Sequence, residues 1–375
     1  MIAIGGAGVV SCLLPVFLTG TMATSMQAEL SLGAAGLGLA VALYRLAGAV
    51  SSPILGRRAD RIGATRSLRI ATAGAAIASL GIAVATANTL MLMAWLMVAG
   101  CAGALAQPAA NRLLAVGIDS RRLGTAFGIK QSAPPASSTL AGFAVPLVAV
   151  TVGWRWAFVA AALLAAGLSL GLRPVPRAPR ETAGALGPDR VADRVTILVL
   201  AVGFGLGTSV SSSVTTFFVL GMVGRGTSEV QAGTLLALAG TAAIAVRIVA
   251  GMMADRSPGN HLRRCALLAG VGAIGVAGLA FADTAPVQGA AVILALGGIW
   301  GFNGVFWFAL IDAFPRSPGR ITGAVSPGAL LGSTIGPILF GLLAESAGYE
   351  VGFAVFSVIA LVTAGALLLG DRRLG

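Results

Sequence analysis

Apolar residues run through this chain in blocks of about 20, separated by short polar stretches, from one end to the other. That is the length a helix needs to cross a bilayer. The blocks are continuous and do not alternate with the two-residue period of a barrel strand. Twelve spans are predicted: 1–20, 33–55, 69–87, 89–115, 124–149, 152–172, 195–222, 230–250, 262–282, 286–312, 321–344 and 350–370. The longest polar segment, "RPVPRAPRETAGALGPDRVADR" (173–194), is rich in Pro, Gly and charge and falls between the sixth and seventh spans, as a linker would. The pattern predicts an all-α membrane protein with an N-terminal six-helix bundle over 1–172, a cytoplasmic linker over 173–194 and a C-terminal six-helix bundle over 195–375. Residues 1–20 lack a basic start and a small-residue cleavage site, so they read as a retained span and not a signal peptide.

The halves are related. "GRRADR" (56–61) and "GMMADR" (251–256) share G-x-x-A-D-R at an offset of 195 residues, and "GWRWAF" (153–158) and "GYEVGF" (348–353) share an aromatic pattern at the same offset. Two matches at one offset argue for an internal six-helix repeat, and so for two bundles related by a pseudo-twofold axis, an architecture of secondary transporters.

Composition agrees: 57% of residues are hydrophobic and only 10% charged, with a mean hydropathy of +0.93, against about 25% charged for a soluble domain. The net charge of +12 raises the question of nucleic acid, but its distribution excludes that partner. Loops after the even-numbered spans, with their flanks and the C-terminal tail, carry 20 of the 25 basic residues; the opposite loops carry Arg155 and Arg225 with Glu29, Glu229, Asp283, Glu345 and Glu350. By the positive-inside rule both termini are cytoplasmic. Cys12, Cys101 and Cys265 have no metal-type spacing, so neither a metal, a cofactor nor a disulfide is expected. The near-total use of Arg over Lys fits a bacterial cytoplasmic membrane protein from a GC-rich genome.

"GRRADRIGATR", between spans 2 and 3, resembles the signature loop of the major facilitator superfamily, with Gly56, Asp60, Arg61, Gly63 and Arg66 at its positions. A second copy between spans 8 and 9 keeps Gly251, Asp255 and Arg256. The resemblance implies a secondary transporter working by alternating access, with these residues as a conformational latch. In that role Gly56 would let helices pack closely, Asp60 would accept bonds from helix N-terminal amides, and Arg61 and Arg66 would bridge neighbouring helices. A second superfamily motif, R-x-x-x-G in span 4, would place its glycine at Gly100, but Leu96 stands where the arginine belongs. That departure counts against proton-driven drug efflux.

Three charged residues fall well inside the predicted spans: Arg45, Lys130 (the only lysine) and Arg247. None of the 13 acids lies mid-span, and the only histidine, His261, is in a loop. A charge at the bilayer centre is costly and faces a bundle interior or wet cavity. Cations without a counter-charge point to an anionic substrate, since arginine's planar fork suits carboxylate, nitrate or phosphate oxygens. Two of the cations keep a ready structural alternative: Lys130 can snorkel to headgroups, and Arg247 can bond carbonyls near its helix end; Arg45 is deeper and harder to explain that way. Placement of Arg247 four residues before Gly251 resembles monocarboxylate and oxalate/formate carriers and nitrate/nitrite porters, which implies that it engages the anion. The glycine-rich signatures of nitrate porters are not evident, and cyanate-type and other organic-anion carriers are closer in appearance.

Gln107, Gln131 and the helical face formed by Trp300, Asn303 and Trp307 are candidate contacts or, alternatively, interhelical glue. "TSVSSSVTT" (208–216) reads as packing or local backbone bonding rather than a site. Pro134 and Pro135, and Pro327 and Pro337, are expected mid-span as hinges. The expected protein is a monomer among membrane lipids that carries a small organic anion, a carboxylate, by anion exchange, uniport or proton–substrate symport, because no mid-span acid is available for a carboxylate relay; the rivals are efflux of hydrophobic compounds and an inorganic-anion porter. No nucleophile–base pair marks it as an enzyme.

Overall fold

The computed structural model describes residues 2–115, 129, 131–172, 193–256, 259–314 and 318–374, and no strand occurs among them. The elements are α1 (Ile2–Thr21), α2 (Ala23–Leu30), α3 (Ala34–Ile62), α4 (Ala64–Ala85), α5 (Thr89–Ala115), α6 (Ala133–Val152), α7 (Trp154–Gly171), α8 (Arg194–Val223), α9 (Glu229–Arg256), α10 (His261–Phe281), α11 (Ala285–Ala313), α12 (Pro318–Ala347) and α13 (Tyr349–Leu374). Eleven of the described helices are long and apolar enough to cross a membrane, and α1 and α2, bent by 69°, together make a twelfth. Almost every expected span therefore has its helix. Residues 173–192 of the linker and Lys130 lie outside the described residues.

Four local expectations are corrected. The signature segment is not a loop: α3 runs to Ile62 and α4 starts at Ala64, so Gly56, the backbone of Asp60, Arg61 and Arg66 are all helical. Arg, Ala and Ile sustain a helix, and only Gly63, at φ +88°, breaks it. The second copy is likewise helical, since α9 continues to Arg256. The close helix approach expected at Gly56 is absent, because a methyl added there would meet nothing within 4 Å. Pro134 stands in the first turn of α6, where a missing N–H costs nothing, and not at a mid-helix bend. Further along α6, Val145–Ala149 forms a π-helical turn; Pro327 and Pro337 do lie inside α12.

Within the first half α3 packs on α5, α4 on α5 and α7, and α1 on α5 and α6; within the second, α8 packs on α12 and α13, and α10 on α11 and α13. The halves meet through α3 and α12, α6 and α9, and α1 and α8. Small residues make these seams tight. A methyl at Gly142 would sit 2.7 Å from the Gly233 oxygen and the Ala237 nitrogen, and one at Gly20 would sit 3.0 Å from the Thr216 oxygen. In lipid, where helices gain little from hydrophobic exclusion, such close backbone approach supplies the packing.

The repeat is visible in the ion pairs. Arg155 donates to the carbonyls of Ala83 and Thr86 at the end of α4, both at 2.9 Å, and pairs with Glu29. Arg225 donates to the carbonyls of Leu279 (2.6 Å) and Ala280 (3.4 Å) at the end of α10 and lies 3.7 Å from Glu350. Positions 155 and 350 are 195 apart, and 29 and 225 are 196 apart. The two halves thus place an arginine–glutamate pair at the same site with the charges exchanged. Each arginine satisfies helix C-terminal carbonyls that have no partner in their own helix.

At the start of α8, Asp193 accepts the Thr196 N–H at 2.8 Å and lies 3.7 Å from Arg373. The Thr196 bonds first, and Arg373 after them, hold its carboxyl below the usual carboxylate range.

Candidate functional site

Between the halves lies a cavity of about 400 Å³. From the first half it is lined by Val16 and Phe17 of α1, Val41 and Arg45 of α3, Gln107 of α5, Gln131, and Pro134 of α6; from the second by residues of α8, Arg247 of α9, Trp300, Asn303 and Trp307 of α11, and α12. Six of the seven expected substrate contacts (Arg45, Arg247, Gln131, Gln107, Trp300 and Asn303) are therefore brought to one cavity, and the seventh, Lys130, lies outside the described residues.

The two arginines come from opposite halves. Arg45 follows Tyr44, whose hydroxyl donates to the Cys12 carbonyl of α1 at 3.0 Å. On its other side α3 presses the Tyr44 backbone against Gly100 of α5, where any larger residue would collide. The backbone that carries Arg45 is thus pinned to two neighbours, and its Nε is buried with no hydrogen-bond partner. Leu96, one turn before Gly100, is fully buried.

Arg247 is only 3% exposed. Its Nε donates to the Trp300 carbonyl at 2.6 Å, while its Nη1 is buried without a partner. Both sequence readings of this residue have a counterpart here: it bonds a carbonyl, and it lines the cavity with one buried nitrogen left unpartnered. A buried guanidinium left short of partners costs free energy. An anion arriving between Arg45 and Arg247 would supply acceptors to both. No Asp or Glu is among the described residues that line the cavity.

Aromatic rings close the walls. Phe17 of α1 meets Trp300 of α11 edge-on across the halves at 6.1 Å, and Phe204 stacks on Phe306 at 4.2 Å with Trp307 edge-on at 4.9 Å. Asn303, which also lines the cavity, donates Nδ2 to the Ile299 carbonyl at 2.8 Å.

One set of lining residues was read differently from the sequence. Thr208, Ser211, Ser212, Thr215 and Thr216 of α8 all line the cavity. They stand at i, i+3, i+4, i+7 and i+8, one helical face, which is the signal that marks them. The expected local backbone bonding is present too, and it does not exclude a place on the wall.

The halves are also joined at the end away from the signature segments. There Ser25 donates to Glu229 at 2.7 Å, and the Ala35 N–H at the start of α3 donates to Glu345 of α12 at 3.0 Å, so both contacts join one half to the other. Of the residues expected as a latch, Arg61, Arg66 and Arg256 are exposed, Asp255 is half-buried and Gly251 is buried at the opposite end; the side chain of Asp60 lies outside the described residues. Among the described residues no group of three or more His, Cys, Asp or Glu gathers as a metal site would require.

The sequence profile of the Major Facilitator Superfamily matches residues 5–326. The chain belongs to that superfamily. It is a transporter of alternating-access type, built on the twelve-helix fold of its family. No curated protein matches it. Similar solved structures include a bacterial homolog of the human lysosomal transporter Spinster in an inward-facing, occupied conformation (TM-score 0.75, 15% identity, covering 99% of this chain and 96% of that one). The human organic anion transporter MFSD10 (TETRAN) has a TM-score of 0.69 at 16% identity, covering 100% and 98% of the two chains. A D-xylose–proton symporter has a TM-score of 0.78 at 16% identity, covering 98% and 96%. At such identities the likeness is one of fold.

Proposed function

We propose that this transporter carries a small organic anion, a carboxylate, held between Arg45 and Arg247. The observation that carries the reading is electrostatic: each half contributes one arginine with a buried, unpartnered nitrogen to a cavity whose described lining has no acid. A carboxylate between them would accept from both and tie the halves together. Gln107 and Gln131 supply neutral donors beside it, and Trp300 and Asn303 shape the wall. Rocking of residues 1–172 against 195–375 would expose the anion to each side in turn. The signature residues latch one state at the cytoplasmic end, and the Glu229 and Glu345 contacts close the other. With both termini cytoplasmic in a bacterial membrane, the lack of an acid in the described lining favours exchange, uniport or co-transport of a proton with the substrate over a carboxylate relay.

Thermal shift on the purified protein, across carboxylates, nitrate and matched neutral amides, tests the reading. Carboxylates should stabilise the wild type, amides should not, and Arg247→Gln should erase the difference. No anion-specific shift, or an unchanged one in Arg247→Gln, would overturn it. Stabilisation by hydrophobic cations alone would favour efflux instead.

A further inference from the structure

The hydroxyl groups of the cavity share a property that the arginines do not. On α8, Thr208 donates its proton to the Gly205 carbonyl (2.8 Å), Ser211 to Thr208 (3.0 Å), Ser212 to Ser333 (3.3 Å), Thr215 to Ser211 (2.7 Å) and Thr216 to Ser212 (2.7 Å). On α12, Ser326 donates to Thr322 (2.7 Å) and Ser333 to Leu330 (3.1 Å). Each lining hydroxyl has therefore committed its single proton to a backbone carbonyl. A hydroxyl has one donor and two acceptor lone pairs, so what remains for a guest is oxygen acceptors only. Asn303 of α11, one of whose two Nδ2 protons goes to the Ile299 carbonyl, keeps an acceptor and a second donor and belongs to neither set.

The cavity is thus divided. Guanidinium donors stand on α3 and α9, and an acceptor wall runs along α8 and α12. A plain carboxylate satisfies the first and leaves the second facing a hydrocarbon chain, with the desolvation of those oxygens uncompensated once water leaves. The guest must carry hydrogen-bond donors of its own. An ammonium is disfavoured, because two guanidiniums share the cavity and the described lining holds no acid to offset them. Neutral hydroxyl groups meet both demands.

We infer that the substrate is a polyhydroxylated carboxylate, its carboxyl group on Arg45 and Arg247 and its hydroxyl groups donating to the Thr and Ser oxygens of α8 and α12. This rests on the anion reading above and specifies the rest of the molecule. A volume of about 400 Å³ lies within the range of small-molecule sites, and Trp300 and Trp307 in the lining add apolar surface for the C–H side of such a chain.

Three six-carbon probes separate the requirements: gluconate (charged, hydroxylated), hexanoate (charged, without hydroxyls) and glucitol (hydroxylated, neutral). Equilibrium titration of the purified full chain should show gluconate binding tighter than hexanoate by about tenfold or more, the worth of two or three net hydrogen bonds, and glucitol weakest. In Arg247→Gln both acids should weaken. In the double variant Ser211→Ala/Thr215→Val gluconate should fall toward hexanoate, with hexanoate unchanged. That ratio is internal to one preparation, so partial misfolding cannot mimic it. Equal affinity for the two acids, both dependent on Arg247, would overturn the acceptor wall and leave the anion reading standing. Binding of neither acid, or of glucitol as tightly as gluconate, would overturn both.

Discussion

Helices α1 and α8 hold corresponding places in the two halves, and their cavity faces have opposite chemistry. Val16 and Phe17 line the cavity from α1; the residues 195 positions on are Ser211 and Ser212, which line it from α8. The same offset relates Gln131 to Ser326 and Pro134 to Ala329, again lining residues on both sides. The fold thus brings equivalent positions of the two halves to the cavity while the side chains there diverge. The ion pairs away from the signature segments show the contrary trend: Glu29–Arg155 and Arg225–Glu350 exchange their charges and keep their job, tying an arginine to the end of α4 or α10. Symmetry is kept in the scaffold and broken at the cavity.

The cations break the symmetry most sharply. Position 45 corresponds to Gly240 and position 247 to Ser52, so neither arginine has a counterpart in the other half. Arg247 is the more buried, with one bond fixing its orientation. Its replacement by Gln should have the largest effect, weakening carboxylate binding by about 100-fold, as expected for losing one partner of a desolvated charge pair. Arg45→Gln should weaken it by about tenfold, since that side chain is only half-buried and better reached by water. Titration of both variants with one carboxylate checks the order; equal losses would mean the halves contribute alike.

The exchanged ion pairs give a stability test of the repeat. Arg155→Ala removes a partner of Glu29 and strands the Ala83 and Thr86 carbonyls, at a cost of about 1–2 kcal/mol. Most of that belongs to the carbonyls, because Arg155 and Glu29 are a third to a half exposed and their ion pair is screened. The double variant Glu29→Arg/Arg155→Glu reproduces the arrangement of the other half, so a thermal melt should recover most of what either single change loses. Additive losses would mean that the likeness of the two pairs is superficial.

The smallest effect is expected at Asp193. Its folded carboxyl titrates below its unfolded value, so its cap on α8 contributes fully above the ordinary carboxylate range and is lost as pH falls through the lowered folded value. Melts taken from pH 7 to pH 3 should show Asp193→Asn losing less stability on acidification than the wild type. The first half offers no comparison, as α1 begins without an acidic first turn.

Much of this was legible in the chain itself, for reasons particular to membranes. Bilayer thickness fixes span length, so the helices could be counted from the apolar blocks. The cost of an intramembrane charge made Arg45 and Arg247 conspicuous, and their neighbours Gln107, Gln131, Trp300 and Asn303 stand on the same cavity. Other features were less visible. The bend between α1 and α2 has no proline or glycine at the joint Met22 to announce it. The signature segment looked like a loop because it is charged, yet charge and helicity are compatible where α3 leaves the apolar region. The hydroxyl wall was hidden by its own chemistry. Serine and threonine in a membrane helix bond the preceding turn whether they face a neighbour or a cavity, so only the face they share, not their type, distinguishes the two.

The anionic substrate and its binding pair, Arg45 and Arg247, are proposed together and can be tested together. Counterflow of labelled gluconate in vesicles reconstituted with wild type or Arg45→Gln/Arg247→Gln tests both most directly. Wild-type vesicles loaded with unlabelled gluconate should accumulate the label transiently, and the double variant, inserted to the same extent, should not rise above empty vesicles. Accumulation by the double variant at the wild-type rate would contradict the account.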